Sequence, residues 1–94
     1  MGGEDHQYLK QIRVNYREIA ELIEKELKKS FEDLSVSIFN NNDKYDLYII
    51  TSLLNAPDER LIEYSKAVDK KIGEILTGKQ KHFEIIKNWN FVNS

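Results

Sequence analysis

Residues 34–54 read LSVSIFNNNDKYDLYIITSLL. Two runs in this stretch alternate apolar and polar residues. In the first, Leu34, Val36 and Ile38 alternate with Ser35, Ser37 and Phe39; in the second, Tyr45, Leu47 and Ile49 alternate with Asp46, Tyr48 and Ile50. A period of two marks a half-buried strand. Between the runs lies Asn40-Asn41-Asn42-Asp43-Lys44. Asn and Asp tolerate positive φ better than other non-glycine residues, which suits a tight turn. A two-residue turn at Asn42-Asp43 pairs Asn41 with Lys44, Ile38 with Leu47 and Val36 with Ile49. Apolar residues then meet apolar residues across the hairpin, whereas a one-residue slip would turn one strand's apolar set outward.

Flanking segments carry a helical period. Leu9, Ile12, Tyr16, Ile19, Ile23 and Leu27 step by three or four, so a first helix is predicted from about Asp5 to Lys29. Glu4 and Asp5 at its start and Lys28 and Lys29 at its end match the macrodipole. Glu21–Lys25 and Glu24–Lys28 are i,i+4 pairs. A second helix is predicted to start at Asn55-Ala56-Pro57-Asp58, with a stripe of Leu61, Ser65, Val68, Ile72, Ile75 and Leu76 and a stop at Gly78. Gly73 within it suggests a close helix–sheet approach. A third strand fits Lys81 to about Asn88, where Phe83 and Ile85 alternate with Glu84 and Ile86.

The predicted order is therefore α-β-β-α-β: an α+β two-layer sandwich with two helices packed on one face of a three-stranded sheet that contains the hairpin. That order resembles the element order of ring-building assembly domains of secretion and sporulation machines, of BON-type domains, and of ribosome-maturation factors with a KH-like fold. The GxxG loop that grips nucleic acid in KH domains is missing, since Gly73 and Gly78 stand five apart. The likeness brings no functional residue with it.

Ninety-four residues make one domain, with residues 1–4 a disordered or cloning-derived start and residues 89–94 a short tail. Hydrophobic content of 40% and charged content of 32% place the chain among soluble globular proteins. No apolar run approaches the ~20 residues that cross a bilayer, and no secretion signal is visible, so a cytoplasmic protein without a membrane partner is expected. The absence of cysteine excludes disulfides, thiolate zinc sites and cysteine nucleophiles. Net charge is −2 and uneven: residues 1–69 hold nine Lys and Arg against 14 Asp and Glu, and residues 70–94 hold five Lys against Glu74 and Glu84.

Catalytic chemistry has no motif here. His82 and Glu84 share a strand face, but a catalytic zinc site needs three protein ligands and no third is identifiable. No G-x-S-x-G elbow, phosphate loop or G-x-G-x-x-G is present. No catalytic residue, metal or cofactor is expected, and the chain reads as a non-catalytic module that binds another protein or a second copy of itself. If Val36, Ile38, Leu47, Ile49, Phe83 and Ile85 face the helices, the opposite sheet face shows an apolar centre of Phe39, Tyr48, Ile50 and Ile86. The tail at Trp89 and Phe91 is the candidate to cover it. A first helix of about 25 residues would span roughly 37 Å and overhang strands of about 25 Å, which exposes Tyr8, Leu9 and Ile12, with Tyr8 and Ile12 as further contact residues. The alternative is an RNA- or ribosome-associated factor. It would use Lys10, Arg13 and Arg17 along the first helix with Lys79, Lys81 and Lys87 near the C-terminus.

Overall fold

The computed structural model describes residues 7–52 and 57–89. In chain order the elements are β1 (Gln7–Val14), α1 (Arg17–Ser30), β2 (Leu34–Asn41), β3 (Lys44–Ser52), α2 (Asp58–Ile75), a short 3₁₀ turn (Gln80–His82) and β4 (Phe83–Lys87). The four strands form one antiparallel sheet in the order β2-β3-β1-β4. This is the β-α-β-β-α-β, split-βαβ arrangement also called ferredoxin-like. The α+β class and the one-sided helix layer agree with the sequence reading, but the sheet has four strands, not three. The α-β-β-α-β order, and with it the likeness to the domain groups that share it, does not hold.

The hairpin has the register read from its sequence. Asn41 faces Lys44, Ile38 faces Leu47 and Val36 faces Ile49. Asn42 sits at φ 60° and is the only non-glycine residue with positive φ among the described residues. Positive φ at the first central position alone is the pattern of a type II′ turn, whose twist suits the flanking strands.

The difference lies at residues 7–16; the start predicted at Asp5 lies outside the described residues. Residues 7–14 are not the front half of a helix but a central strand, paired with β3 on one side and β4 on the other. Lys10, Ile12 and Val14 point to the helix layer, and Leu9, Gln11 and Arg13 to the other face. Ile12 and Val14 are fully buried, and β-branched residues favour a pleated surface over a helix. The helix begins only at Arg17, after the chain turns through Asn15 and Tyr16. Asn15 fastens that corner: its N–H donates to His82 O (2.9 Å), its Nδ2 to Lys81 O (3.3 Å), and its Oδ1 accepts from Lys44 Nζ (3.0 Å). At 14 residues α1 is about 21 Å long and does not overhang the sheet.

Both helices cover one sheet face. Ile19, Ala20, Ile23 and Leu27 of α1 and Val68, Ile72 and Leu76 meet Ile12, Val14, Leu34, Val36, Leu47 and Ile49 of the strands in a single core. The α2 stripe is as its spacing predicts, with Leu61 and Ser65 also buried. The start predicted at Asn55 lies outside the described residues; the observed N-cap residue is Pro57. Gly78 takes φ +80°, the left-handed conformation that ends the run. Gly73 does not mark a close approach, because nothing lies within 4 Å of where a Cβ would stand.

Two stability measurements follow from these placements. Ile12→Ala is expected to cost about 2–4 kcal/mol in urea unfolding, the range of a fully buried strand isoleucine; a residue on an overhanging helix would cost almost nothing. Gly73→Ala is expected to add about 0.5–1 kcal/mol, because alanine removes the backbone entropy cost of glycine in a helix and meets no neighbour.

Candidate interaction surface

The sheet face away from the helices is built by alternate residues of four strands. β2 contributes Ser35, Ser37 and Phe39; β3 contributes Asp46, Tyr48 and Ile50; β1 contributes Leu9, Gln11 and Arg13; β4 contributes Glu84 and Lys87. Cross-strand pairs place Leu9 beside Ile50, Gln11 beside Tyr48, Arg13 beside Asp46 and Ser37 beside Tyr48. Leu9, Phe39, Tyr48 and Ile50 line a shallow concavity with Ser37, Asn40, Asn41 and Asp46. Phe39 is 56% exposed. Its ring meets that of Tyr48 edge-on, with centroids 5.3 Å apart, a geometry favoured by the ring quadrupoles.

Beside this patch lies a half-buried ion pair. Arg13 Nε donates to Asp46 Oδ1 at 2.7 Å and a terminal guanidinium nitrogen donates to Oδ2 at 3.2 Å. Asn41 Nδ2 (3.2 Å) and Gln11 Nε2 (3.4 Å) also donate to Oδ2. Asp46 is only 4% exposed although it belongs to the open face, because these side chains lie over it. The Arg13 guanidinium, followed by Asn41 and Gln11, holds the Asp46 carboxyl below the usual carboxylate range, with burial pulling the other way. Hydrogen bonding to Asp46 raises Arg13 in turn. Two further charges on this face, Glu84 and Lys87, are of opposite sign, so the surface is close to electrically neutral.

The sequence-predicted contact residues divide. Phe39, Tyr48 and Ile50 come together as expected. Ile86 is 38% exposed on β4, at the point where the register with β1 shifts between Gln11 and Ile12. It does not line the concavity formed by Leu9, Phe39, Tyr48 and Ile50. Ile12 is in the core and cannot touch a partner. The backbone of Tyr8 pairs with Thr51 in the sheet, not at an exposed helix start. Leu9, expected on the overhanging start of the first helix, stands instead on the open face of β1 beside Ile50. The tail does not cover the open face at Trp89. That residue packs against the core on the helix side, where its Nε1 donates to Asp69 Oδ1 at 2.6 Å. Phe91 lies outside the described residues.

The basic residues of the alternative reading are dispersed. Lys10 and Arg13 occupy opposite faces of β1 and do not share a helix side with Arg17. Lys10 is 3% exposed, with Nζ 3.1 Å from Asp69 Oδ1 and 2.6 Å from Asn88 Oδ1. Arg17 pairs with Glu21 on α1 at 3.1 Å. Lys79 Nζ donates to Ile75 O at 3.3 Å, at the C-terminal end of α2. Lys81 and Lys87 remain exposed. His82 is half-buried against the Tyr16 ring, centroids 5.1 Å apart. Among the described residues, no three His, Asp or Glu side chains gather where they could share a metal. No helix among them is long and apolar enough to cross a membrane.

The Asp46 cluster has a pH signature. A carboxyl held below its unfolded value stabilises the fold above that value, near 4, and the stabilisation is lost as pH falls through the folded value. Asp46→Asn is expected to cost about 1–3 kcal/mol at neutral pH. The gap from wild type should narrow steadily as unfolding is measured at pH values from about 4 downward. A gap independent of pH would detach the cost from the Asp46 charge.

Comparison with protein-family models, curated proteins and solved structures found no match to this chain.

Proposed function

We propose that the protein is a non-catalytic interaction module that docks a protein partner through the open sheet face. The observation that carries this reading is the Phe39–Tyr48 pair, set with Leu9 and Ile50 on a face that neither helix nor Trp89 covers. Exposed aromatic side chains on a rigid sheet supply contact area at little entropic cost, and such clusters form the centres of protein interfaces. The charge of the face supports a protein over a nucleic acid. Arg13 is neutralised by Asp46, and Glu84 offsets Lys87, which leaves no field to attract phosphates. A half-buried Arg–Asp pair beside an apolar patch suits a rim that fixes orientation.

The test is a pull-down from lysate of the source cells with nuclease present, comparing wild type with Tyr48→Asp and Phe39→Ser. Both variants are expected to keep the wild-type circular dichroism spectrum. Both should lose, by at least about tenfold, the proteins that wild type retains, a loss of about 1.4 kcal/mol or more. Retention should change little with added salt. Unfolding of both variants would make Phe39 and Tyr48 structural residues. Binding that vanishes with nuclease or falls steeply with salt would favour the nucleic-acid alternative.

A further inference from the structure

The two edges of the sheet are guarded unequally. β4 is five residues long, is broken by the register shift near Ile86, and carries Glu84 and Lys87. Short length, irregularity and charge are the devices that keep an edge from pairing with another chain. β2, the other edge, has none of them. It is eight residues long, pairs in unbroken register with β3, and reads Leu-Ser-Val-Ser-Ile-Phe-Asn-Asn, with neither charge nor proline. In a chain that is 32% charged, residues 34–42 carry no charge at all.

Strand alternation shows which backbone groups this edge presents. The two-residue turn closes on Asn41 and Lys44 as a hydrogen-bonded pair. Pairing then alternates, so Phe39–Asp46, Ser37–Tyr48 and Ser35–Ile50 are also hydrogen-bonded pairs. The N–H and C=O groups of Val36, Ile38 and Asn40 therefore point away from β3, as does the C=O of Leu34. The Leu34 N–H meets Phe31 O at 3.4 Å. Among the described residues, nothing outside the ladder pairs with the others.

We infer that β2 pairs antiparallel with β2 of a second copy of this chain, about a two-fold axis at Ser37, joining two four-stranded sheets into one of eight strands. The occupant is a second copy because the edge is complementary to itself in one register. With Ser37 opposite Ser37 of the second copy, Val36 meets Ile38 on the helix side and Phe39 lies over Ser35 on the open side. Val36 and Ile38 then exchange both their N–H and C=O groups with the second copy, and the Asn40 N–H meets the Leu34 C=O; the Asn40 C=O faces the Leu34 N–H, which already meets Phe31 O. A two-residue shift one way sets Asp33 opposite Phe39, and the other way sets Val36 opposite Asn40. Above this edge, Arg17 and Glu21 of α1 form an ion pair (3.1 Å), as do Glu24 and Lys28 (3.5 Å). The helix row thus brings no unbalanced charge to the axis. The pairing does not rest on the open-face reading, since it uses backbone groups of the edge.

Light scattering over a dilution series, with cysteine cross-linking, tests it on the whole chain. Wild type is expected at twice the 11.1 kDa protomer mass, falling to the protomer on dilution. Ser37→Lys, which sets like charges opposite each other at the axis, should give the protomer at every concentration. Mixing it with Ser37→Glu should restore the double mass. Ser37→Cys introduces the chain's only thiol. It should oxidise to a linked dimer, because a non-hydrogen-bonded pair brings Cα atoms to about 4.5 Å. Ser35→Cys should not, because its counterpart would lie roughly 14 Å along the strand. Tyr48→Asp should leave the dimer intact, which separates this edge from docking by the open face. A protomer mass for wild type at every concentration would overturn the inference. So would a dimer indifferent to Ser37→Lys, or equal cross-linking at positions 35 and 37. Should Ser37→Lys unfold, the cross-linking contrast alone decides.

Discussion

The structure depends on the side-chain parity of β3. This strand lies inside the sheet, between β2 and β1. Leu47, Ile49 and Thr51 point into the helix layer and are buried, while Asp46, Tyr48 and Ile50 point the other way. The period is two, so the faces cannot be partly exchanged; a slip by one residue inverts the whole strand. Once Leu47 and Ile49 are committed to the core, Tyr48 must stand on the face without helices. Phe39 follows it, because β2 and β3 are locked through a two-residue turn. The surface proposed to bind is the complement of the core, set by the same alternation.

β1 carries two charged fixtures, one on each of its faces. On the open side, Arg13 and Asp46 bind β1 to β3 with two hydrogen bonds. On the helix side, Lys10 reaches Asp69 of α2 and Asn88 beyond β4, and Trp89 donates to the same Asp69 oxygen. Buried ion pairs contribute little net stability against an apolar replacement, but leaving either partner alone is costly. Their effect here is to select an arrangement. An alternative placement of β1 would leave the buried Lys10 ammonium and the buried Asp46 carboxylate without their partners, and the pair at Asp69 draws the residue after β4 towards α2 rather than over the open face.

The hairpin was legible because its alternation and its Asn-Asp turn agree, and Val36, Ile38, Leu47 and Ile49 all fall in one register. The stripe of α2 was legible because Leu61, Ser65, Val68, Ile72 and Leu76 keep a helical period over four turns. β1 was not, for a physical reason. Its inward row contains Lys10, a buried lysine satisfied by Asp69 and Asn88, so residues 7–14 lack a clean apolar alternation. Meanwhile Leu9, Ile12 and Tyr16 happen to extend the spacing of Ile19, Ile23 and Leu27, and the acidic residues at positions 4 and 5 imitate a helix start. Tertiary pairing on both sides overrides that local pattern, and β-branched Ile12 and Val14 are the residues that signal it. The candidate surface was legible as far as the hairpin was: Phe39, Tyr48 and Ile50 were found, Leu9 was placed on a helix by the misread strand, and Ile86 does not line the concavity.

The most direct measurement is a nuclear Overhauser spectrum of the aromatic and methyl protons. The account requires contacts between the Phe39 and Tyr48 rings and from Tyr48 to Gln11. It also requires contacts from the methyls of Ile12, Leu47 and Ile49 into the core formed with Ile23, Leu27 and Ile72. Ring contacts from Phe39 or Tyr48 to the helix methyls, or consecutive amide contacts of a helix through residues 7–14, would contradict it.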